Sequence, residues 1–190
     1  MNAEITRRTL LAGSAAALLL ALMPGQGRAQ KLFDDWYTLA NAAAENKADE
    51  VAVFLRKGDN PNFLDHDGRS PLDYAATFGN ARMVKMLLDA GARPDYRDKF
   101  GATPLHWAAE AGHVEVIGQL VEAKAPVDAV NHQGITPLML AAGANKGEAV
   151  RALLKAGADP KKQDFTGRDA LGYATGRPAA LRVLQTARPG

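Results

Sequence analysis

The sequence contains no cysteine among its 190 residues. Disulfide bonds, thiolate nucleophiles and cysteine-based metal sites are therefore excluded, and cysteine usage says nothing about the redox compartment. Common catalytic motifs are absent as well: the chain has no phosphate-binding loop, no G-x-S-x-G nucleophile elbow and no H-E-x-x-H metal helix. We therefore predict no catalytic residue, no cofactor and no bound metal ion.

The sequence repeats itself with a period of 33 residues. Apolar residues make up 47% of the chain, an ordinary proportion that argues against wholesale disorder. The period is visible in three registers, occupied by glycine, leucine and alanine. Their members are Gly68, Gly101, Gly134 and Gly167; Leu39, Leu72, Leu105, Leu138 and Leu171; and Ala42, Ala75, Ala108, Ala141 and Ala174. Self-similarity at a fixed period of this length indicates stacked structural repeats.

One unit of the repeat carries a recognisable family pattern. Residues 98–113 read DKFGATPLHWAAEAGH. This segment is similar to the D-x-x-G-x-T-P-L-H-x-A-A-x-x-G-H pattern of the ankyrin repeat family, and the resemblance extends from about Phe33 to the C-terminus. It implies an all-α fold: an ankyrin-repeat solenoid of stacked helix-turn-helix units with projecting β-hairpin or turn fingers.

The registers divide residues 30–190 into five units. We predict an N-terminal cap repeat at residues 33–64, full repeats at 65–97, 98–130 and 131–163, and a C-terminal cap repeat at 164–190. Each helix pair has an apolar side that it cannot bury alone, so the units are expected to pack on one another.

Two turn positions depart from the glycine pattern. Asn145 stands where earlier units have glycine, a tolerable change because asparagine enters the left-handed region more readily than most residues. Lys124 stands where Gly91 and Gly157 stand in other units. A left-handed conformation is costly for a residue with a Cβ. The sequence therefore does not decide whether Lys124 adopts the conformation that glycine has in the other units.

The first 29 residues resemble an export signal. Arg7 and Arg8 precede a mostly apolar run at residues 10–23, and small residues Gly27 and Ala29 follow at the two cleavage positions. The twin arginine is typical of the bacterial route that exports folded proteins. We predict cleavage near Ala29 and a periplasmic protein, with a general secretory signal or an uncleaved membrane anchor as alternatives.

Removal of this segment changes the charge balance. Residues 1–29 hold three of the 23 basic and one of the 21 acidic residues, so the remainder carries 20 of each. A net charge of zero favours neither a nucleic acid nor a membrane as partner after cleavage. The predicted partner is another protein, bound by a monomer.

The resemblance also implies where that protein binds. In ankyrin repeats the fingers and the exposed face of the first helix of each pair together line a concave surface. Aromatic residues and arginine are enriched at binding hot spots. Carried over one position at a time, the partner-binding candidates are His66, Arg69, Tyr74, Phe78, Lys99, Phe100, Trp107, Glu110, His132, Leu140, Phe165 and Tyr173.

Other interpretations of these residues stay open. The side chains at one register, Tyr74, Trp107, Leu140 and Tyr173, could serve only to pack the first helices together, although an aromatic ring can pack and still contact a ligand. His106, Glu110 and His113 could support metal-dependent or enzymatic activity, although the family pattern already requires both histidines. A third alternative is an accessory protein that protects a periplasmic enzyme under stress.

Overall fold

The computed structural model describes residues 38–65 and 67–187. These residues form ten helices and no strand. In chain order the helices are α1 (Leu39–Ala44), α2 (Ala48–Arg56), α3 (Pro71–Phe78), α4 (Ala81–Asp89), α5 (Pro104–Ala111), α6 (Val114–Glu122), α7 (Pro137–Gly143), α8 (Gly147–Lys155), α9 (Ala170–Tyr173) and α10 (Pro178–Thr186). The predicted signal at residues 1–29 lies outside the described residues.

The helices form two layers. The first helices of successive pairs, α1, α3, α5, α7 and α9, contact one another in order, and the second helices, α2, α4, α6, α8 and α10, do the same. Each first helix also contacts the second helix of its own pair. The predicted all-α solenoid is confirmed. None of the helices in the described part of the chain is long and apolar enough to cross a bilayer.

The leucine and alanine registers form the core between the pairs. Leu72, Leu105 and Leu138 are fully buried, and the alanine at 0% exposure in every pair lets neighbouring first helices approach closely. Leu171, in the last pair, is only half-buried. Among the described residues only one neighbouring pair packs against this last pair, which accounts for the difference.

Capping residues fix where the first helices begin. The Ser70 hydroxyl accepts a hydrogen bond from the Asp73 N–H at 3.2 Å, and the Thr136 hydroxyl accepts one from the Met139 N–H at 3.3 Å. A proline follows each of these caps, where its missing N–H would have had no helical partner anyway. In the last pair Asp169 caps a first helix of only four residues.

Left-handed residues make the turn inside each pair. Gly79 and Gly112 have φ angles of 69° and 86°, and Asn145 takes the same place with φ 58°. The substitution at Asn145 is therefore accommodated as expected. Its side-chain oxygen also accepts hydrogen bonds from the N–H groups of Ala179 and Ala180 in the next pair. Asparagine thus supplies both the turn and a contact between repeats.

Lys124 adopts the left-handed backbone conformation, which is strained for a residue with a Cβ. Its φ is 67°, whereas the equivalent position Gly157 has φ 93°. The strain of a side chain in this region is about 1–2 kcal/mol. The last turn of α6 therefore ends in a less favourable conformation than that of α8.

We expect Lys124→Gly to raise the free energy of unfolding by about 0.5–1 kcal/mol, because the relieved strain exceeds the added backbone entropy of glycine. The measurement is the urea midpoint of unfolding. Gly157→Lys is the matched reverse change, since a Cβ at Gly157 would meet no atom within 4 Å and only its φ would cause strain. It should lower the midpoint, and the strain argument is wrong if both substitutions act in the same direction.

Candidate functional site

The fingers are turns organised by one acidic or amide side chain each. In the central finger the Asp98 Oδ1 accepts hydrogen bonds from the N–H groups of Phe100 and Ala102, at 2.8 and 2.9 Å. The same arrangement occurs at Asp65, Asn131 and Asp164. Sequence reasoning gave these residues no separate role, although aspartate or asparagine at 33-residue intervals before a glycine is itself a turn signal.

Neighbouring fingers contact each other directly. The His132 N–H donates to the Phe100 carbonyl at 2.9 Å, and the Phe165 N–H donates to the Gln133 carbonyl at 3.2 Å. A Cβ at Gly101 would lie 2.6 Å from the His132 ring, and one at Gly134 would lie 2.8 Å from the Phe165 ring. Glycine is therefore required at these two finger positions, because a ring of the next unit lies against each of them.

Arg69 lies against two aromatic rings. Its Cζ is 4.4 Å from the centroid of Tyr74 in its own unit and 4.5 Å from that of Trp107 in the next. Neighbouring first helices pack with their axes about 8–10 Å apart, which matches a guanidinium lying between two rings at these distances, and we infer that the rings stack on its opposite faces. The Arg69 Nη2 also donates to the Thr77 hydroxyl at 2.6 Å. Arg69 therefore contacts both rings and links Tyr74 to Trp107 of the next unit.

The Tyr74 hydroxyl is anchored at the base of the first finger. It donates to the Asp65 Oδ2. Burial, together with this hydrogen bond to a carboxylate, raises the pKa of Tyr74 to about 12. The hydroxyl therefore remains a donor over the whole physiological range.

A second cluster of the same kind lies in the last unit. The Arg168 Cζ is 4.6 Å from the centroid of the Tyr173 ring, and the Tyr173 hydroxyl donates to the Asp164 Oδ2 at 2.7 Å. Arg168 also donates to Asp164 and to the Thr166 hydroxyl. The hydrogen bond from the Thr166 hydroxyl, with others from the finger, holds the pKa of Asp164 well below its usual range.

The predicted partner-binding residues divide into exposed and half-buried groups. Phe78, Phe100 and Phe165 are exposed at 45%, 54% and 77%, respectively. Other exposed members are Lys99, Glu110 and His132, and the half-buried members are Arg69, Tyr74, Trp107, Leu140 and Tyr173. His66 lies outside the described residues. We call the described members of this set the finger surface.

Exposure also reveals an aromatic residue that sequence reasoning did not select. Phe63, in the loop after α2, is 59% exposed. It belongs to neither a predicted finger nor a first helix. The repeat register could not predict its exposure, because the equivalent residue of a later unit, Ala129, is buried.

The two histidines of the alternative site are both engaged by the fold. His106 is buried, its Nδ1 accepts a hydrogen bond from the Thr103 N–H, and its Nε2–H donates to the Ile135 carbonyl in the following unit at 3.1 Å. The His113 Nε2–H donates to the Thr77 carbonyl in the preceding unit at 3.1 Å. The rings thus point in opposite directions along the stack.

This arrangement gives no support to a metal-dependent activity on α5. Among residues 38–65 and 67–187, no group of three or more histidine or acidic side chains is placed to hold a metal ion. Burial lowers the pKa of His106 to about 4, so the ring is neutral and joins two repeats by hydrogen bonding.

Asp73 occupies the position of His106 in the preceding unit. Its Oδ2 accepts hydrogen bonds from the Ser70 N–H and hydroxyl, at 2.8 and 2.7 Å. Its Oδ1 is buried and has no hydrogen-bond partner in the described part of the chain. Burial raises the pKa of Asp73 to about 6, the nearby Asp98 adds to this effect, and Arg69 opposes it.

With this geometry established, a comparison with known proteins assigns the chain to a family. A family model described as ankyrin repeats (3 copies) matches residues 10–98 and 90–164. These ranges cover more than half of the sequence, and the chain belongs to the ankyrin repeat family. The first match begins inside the segment predicted as a signal, and the second ends before α9. No curated protein matches the sequence.

The family defines the general class of activity. Ankyrin repeats are generally protein-protein interaction modules and typically have no catalytic activity of their own. Their stacked units create an extended binding surface. A protein partner is therefore the class of ligand that the fold and the finger surface support.

We expect Asp73→Asn to raise the free energy of unfolding near pH 7 by about 1–3 kcal/mol, because it removes a buried carboxylate charge. The carboxyl has a raised pKa in the folded protein, so its favourable contribution is present below its unfolded pKa of 3.8 and is lost as the pH rises through about 6. The gain from the variant should therefore shrink towards zero on acidification to about pH 4.

His106 titrates in the opposite sense. Its pKa is lowered from 6.5 to about 4, so its contribution is present above 6.5 and is lost as the pH falls through about 4. As the pH falls from 6.5 to about 4, the free energy of unfolding of the Asp73→Asn variant should therefore decrease more steeply than that of the wild type. Urea midpoints across this range measure both effects, with Asp89→Asn at the surface as control. A gain that does not vary with pH would contradict the assignment.

Proposed function

We propose that this protein is exported and, as a monomer in the periplasm, binds another protein on its finger surface without catalysing a reaction. The observation that carries the proposal is the exposure of Phe78, Phe100 and Phe165 on a single finger surface. Burial of such side chains by a partner is favourable by roughly 25 cal/mol per Å² of apolar area.

Rigidity of the frame supports the same function. The backbone of each finger is held by two hydrogen bonds to one side-chain oxygen, and backbone hydrogen bonds join the last three fingers to one another. A surface that is ordered before binding loses little conformational entropy on binding. Preorganised presentation of side chains is therefore the mechanism that we propose.

The composition of the surface favours a protein as ligand. Arginine, tryptophan and tyrosine are the residue types most enriched at protein-protein hot spots, and all three occur together at Arg69, Tyr74 and Trp107. Lys99 pairs with Asp67 of the preceding finger at 2.6 Å, so its charge is partly neutralised by that neighbouring finger. Residues 30–190 carry 20 basic and 20 acidic residues, so this part of the chain lacks the excess of basic residues that a nucleic acid would require.

We expect the double variant Phe78→Ala/Phe100→Ala to weaken the complex with the native partner roughly 10- to 100-fold, because exposed aromatic anchors carry much of the binding energy. The partner is first isolated by cross-linking the C-terminally tagged protein in the periplasmic fraction, and the affinity is then measured by titration. The thermal transition should be almost unchanged, since both rings are largely exposed in the free protein.

Phe63→Ala is the matched control for this variant. It removes an exposed phenylalanine that is outside the finger surface. Partner affinity should stay at the wild-type value. Equal weakening by Phe63→Ala and by the double variant would show that binding is not specific to the finger surface.

Export is supported by the residues at the N-terminus. Arg7 and Arg8, followed by the apolar run at residues 10–23, have the order of a twin-arginine signal. We expect Arg7→Lys/Arg8→Lys to retain the precursor in the cytoplasm, measured by cell fractionation, because the receptor of that route recognises the arginine pair. Undiminished export of the double variant would instead favour a general secretory signal, which needs only a basic start.

A further inference from the structure

The two arginine clusters are copies of each other, separated by three repeat periods. Asp65, Arg69 and Tyr74 in the first full unit correspond to Asp164, Arg168 and Tyr173 in the last. In both clusters the tyrosine hydroxyl donates to the carboxylate, and the guanidinium lies against the tyrosine ring. The two units between them have Ala102 and Ile135 in place of the arginine.

The clusters differ in what covers the second face of the guanidinium. Trp107 of the following unit covers Arg69, which is half-buried. Arg168 lies in the last described unit, and within residues 67–187 Tyr173 is the one ring that stacks on it. Consistently, 57% of the Arg168 side chain is exposed. The position that Trp107 occupies at Arg69 therefore has no counterpart at Arg168 among the described residues.

The Arg168 guanidinium is also held in a fixed orientation. Its Nε donates to the Thr166 hydroxyl at 3.0 Å, and its Nη2 donates to the Asp164 Oδ2 and to the Tyr173 hydroxyl, both at 3.1 Å. These bonds fix the orientation of the guanidinium, and more than half of the Arg168 side chain remains exposed. A planar cation held in this way loses little freedom when a ring stacks on it.

We propose that the open face of Arg168 binds an aromatic side chain of the protein partner, in the manner in which Trp107 binds Arg69. The inference rests on the proposed function and adds the chemistry of the partner at one end of the finger surface. A positively charged guanidinium and the electron-rich face of an aromatic ring are electrostatically complementary. Phe165, which is 77% exposed in the same finger, adds apolar area for the same partner segment.

Among the described residues, a second copy of the chain that continued the stack would not offer the required side chain at this register. At the register of Trp107, the first described unit has Asn41, which is not aromatic. An end-to-end association of two copies would therefore place an amide beside Arg168. The occupant that matches the internal template is an aromatic residue from a different protein.

The test follows the Nε–Hε resonance of Arg168 by NMR during titration with N-acetyltryptophanamide, with N-acetylleucinamide as the apolar control. Arg168→Lys assigns the resonance. Stacking should move it upfield with a slope roughly two- to fivefold steeper for the aromatic probe, because a ring over a cation binds more tightly than an alkyl group. Equal slopes for the two probes would overturn the proposal.

Arg69 provides the internal control. Both of its faces are covered, so its resonance should not respond to the aromatic probe in the wild-type protein. In Trp107→Ala one face is opened, and Arg69 should gain the response that Arg168 shows. A wild-type Arg168 shift that depends on protein concentration alone, without probe, would identify a second copy as the occupant and refute the assignment.

The partner complex separates failure of this inference from failure of the proposed function. Arg168→Ala should weaken the complex roughly two- to fivefold, whereas Arg182→Ala on the exposed face of α10 should not. A complex that depends on Phe78 and Phe100 but is unaffected by Arg168→Ala would leave the binding function intact and refute the Arg168 inference. Loss of dependence on the phenylalanines would instead refute the function.

Discussion

The structure depends on one constraint: each helix pair must bury its apolar side against the neighbouring pairs. Every described helix pair presents a fully buried alanine and, except at the C-terminal end, a fully or nearly fully buried leucine to its neighbours. Alanine allows a close approach of the first helices, and that approach brings successive fingers within hydrogen-bonding distance. The spacing of the fingers, and with it the geometry of the finger surface, is therefore a consequence of small side chains in the core.

The third residue after the cap of each of the three central first helices is buried, and the same backbone position holds a different type of side chain in each unit. His106 uses it to join two units through a neutral imidazole, Met139 fills it with an apolar side chain, and Asp73 places a carboxylate there with one oxygen unpartnered. The cap itself is retained in all three units. Because Asp73 and His106 titrate in opposite senses over overlapping ranges, their effects on stability oppose each other during mild acidification.

Much of the fold follows from the sequence because its determinants are local and periodic. The register and residue type of Asn145 together predicted its left-handed turn, and the register of Leu72 predicted its burial. The sequence selected Arg69, Tyr74 and Trp107 separately but could not show their stacking, which depends on side-chain direction and on the distance between layers. For the same reason it could not show that Tyr173 is the one ring that stacks on Arg168 among the described residues.

The contact of a ring with the finger glycine of the preceding unit has a consequence for exchange of repeats. In the described fingers, Gly101 and Gly134 are each covered by a ring of the following unit, His132 and Phe165 respectively, whereas Gly68 lies against the backbone nitrogen of Lys99. Deletion of residues 98–130 would preserve the 33-residue phase and bring His132 against Gly68, while Arg69 would lose Trp107 and face Leu140. Recombination between units can therefore conserve the scaffold and alter recognition in a single step, which makes the repeat a unit of evolutionary variation as well as of folding.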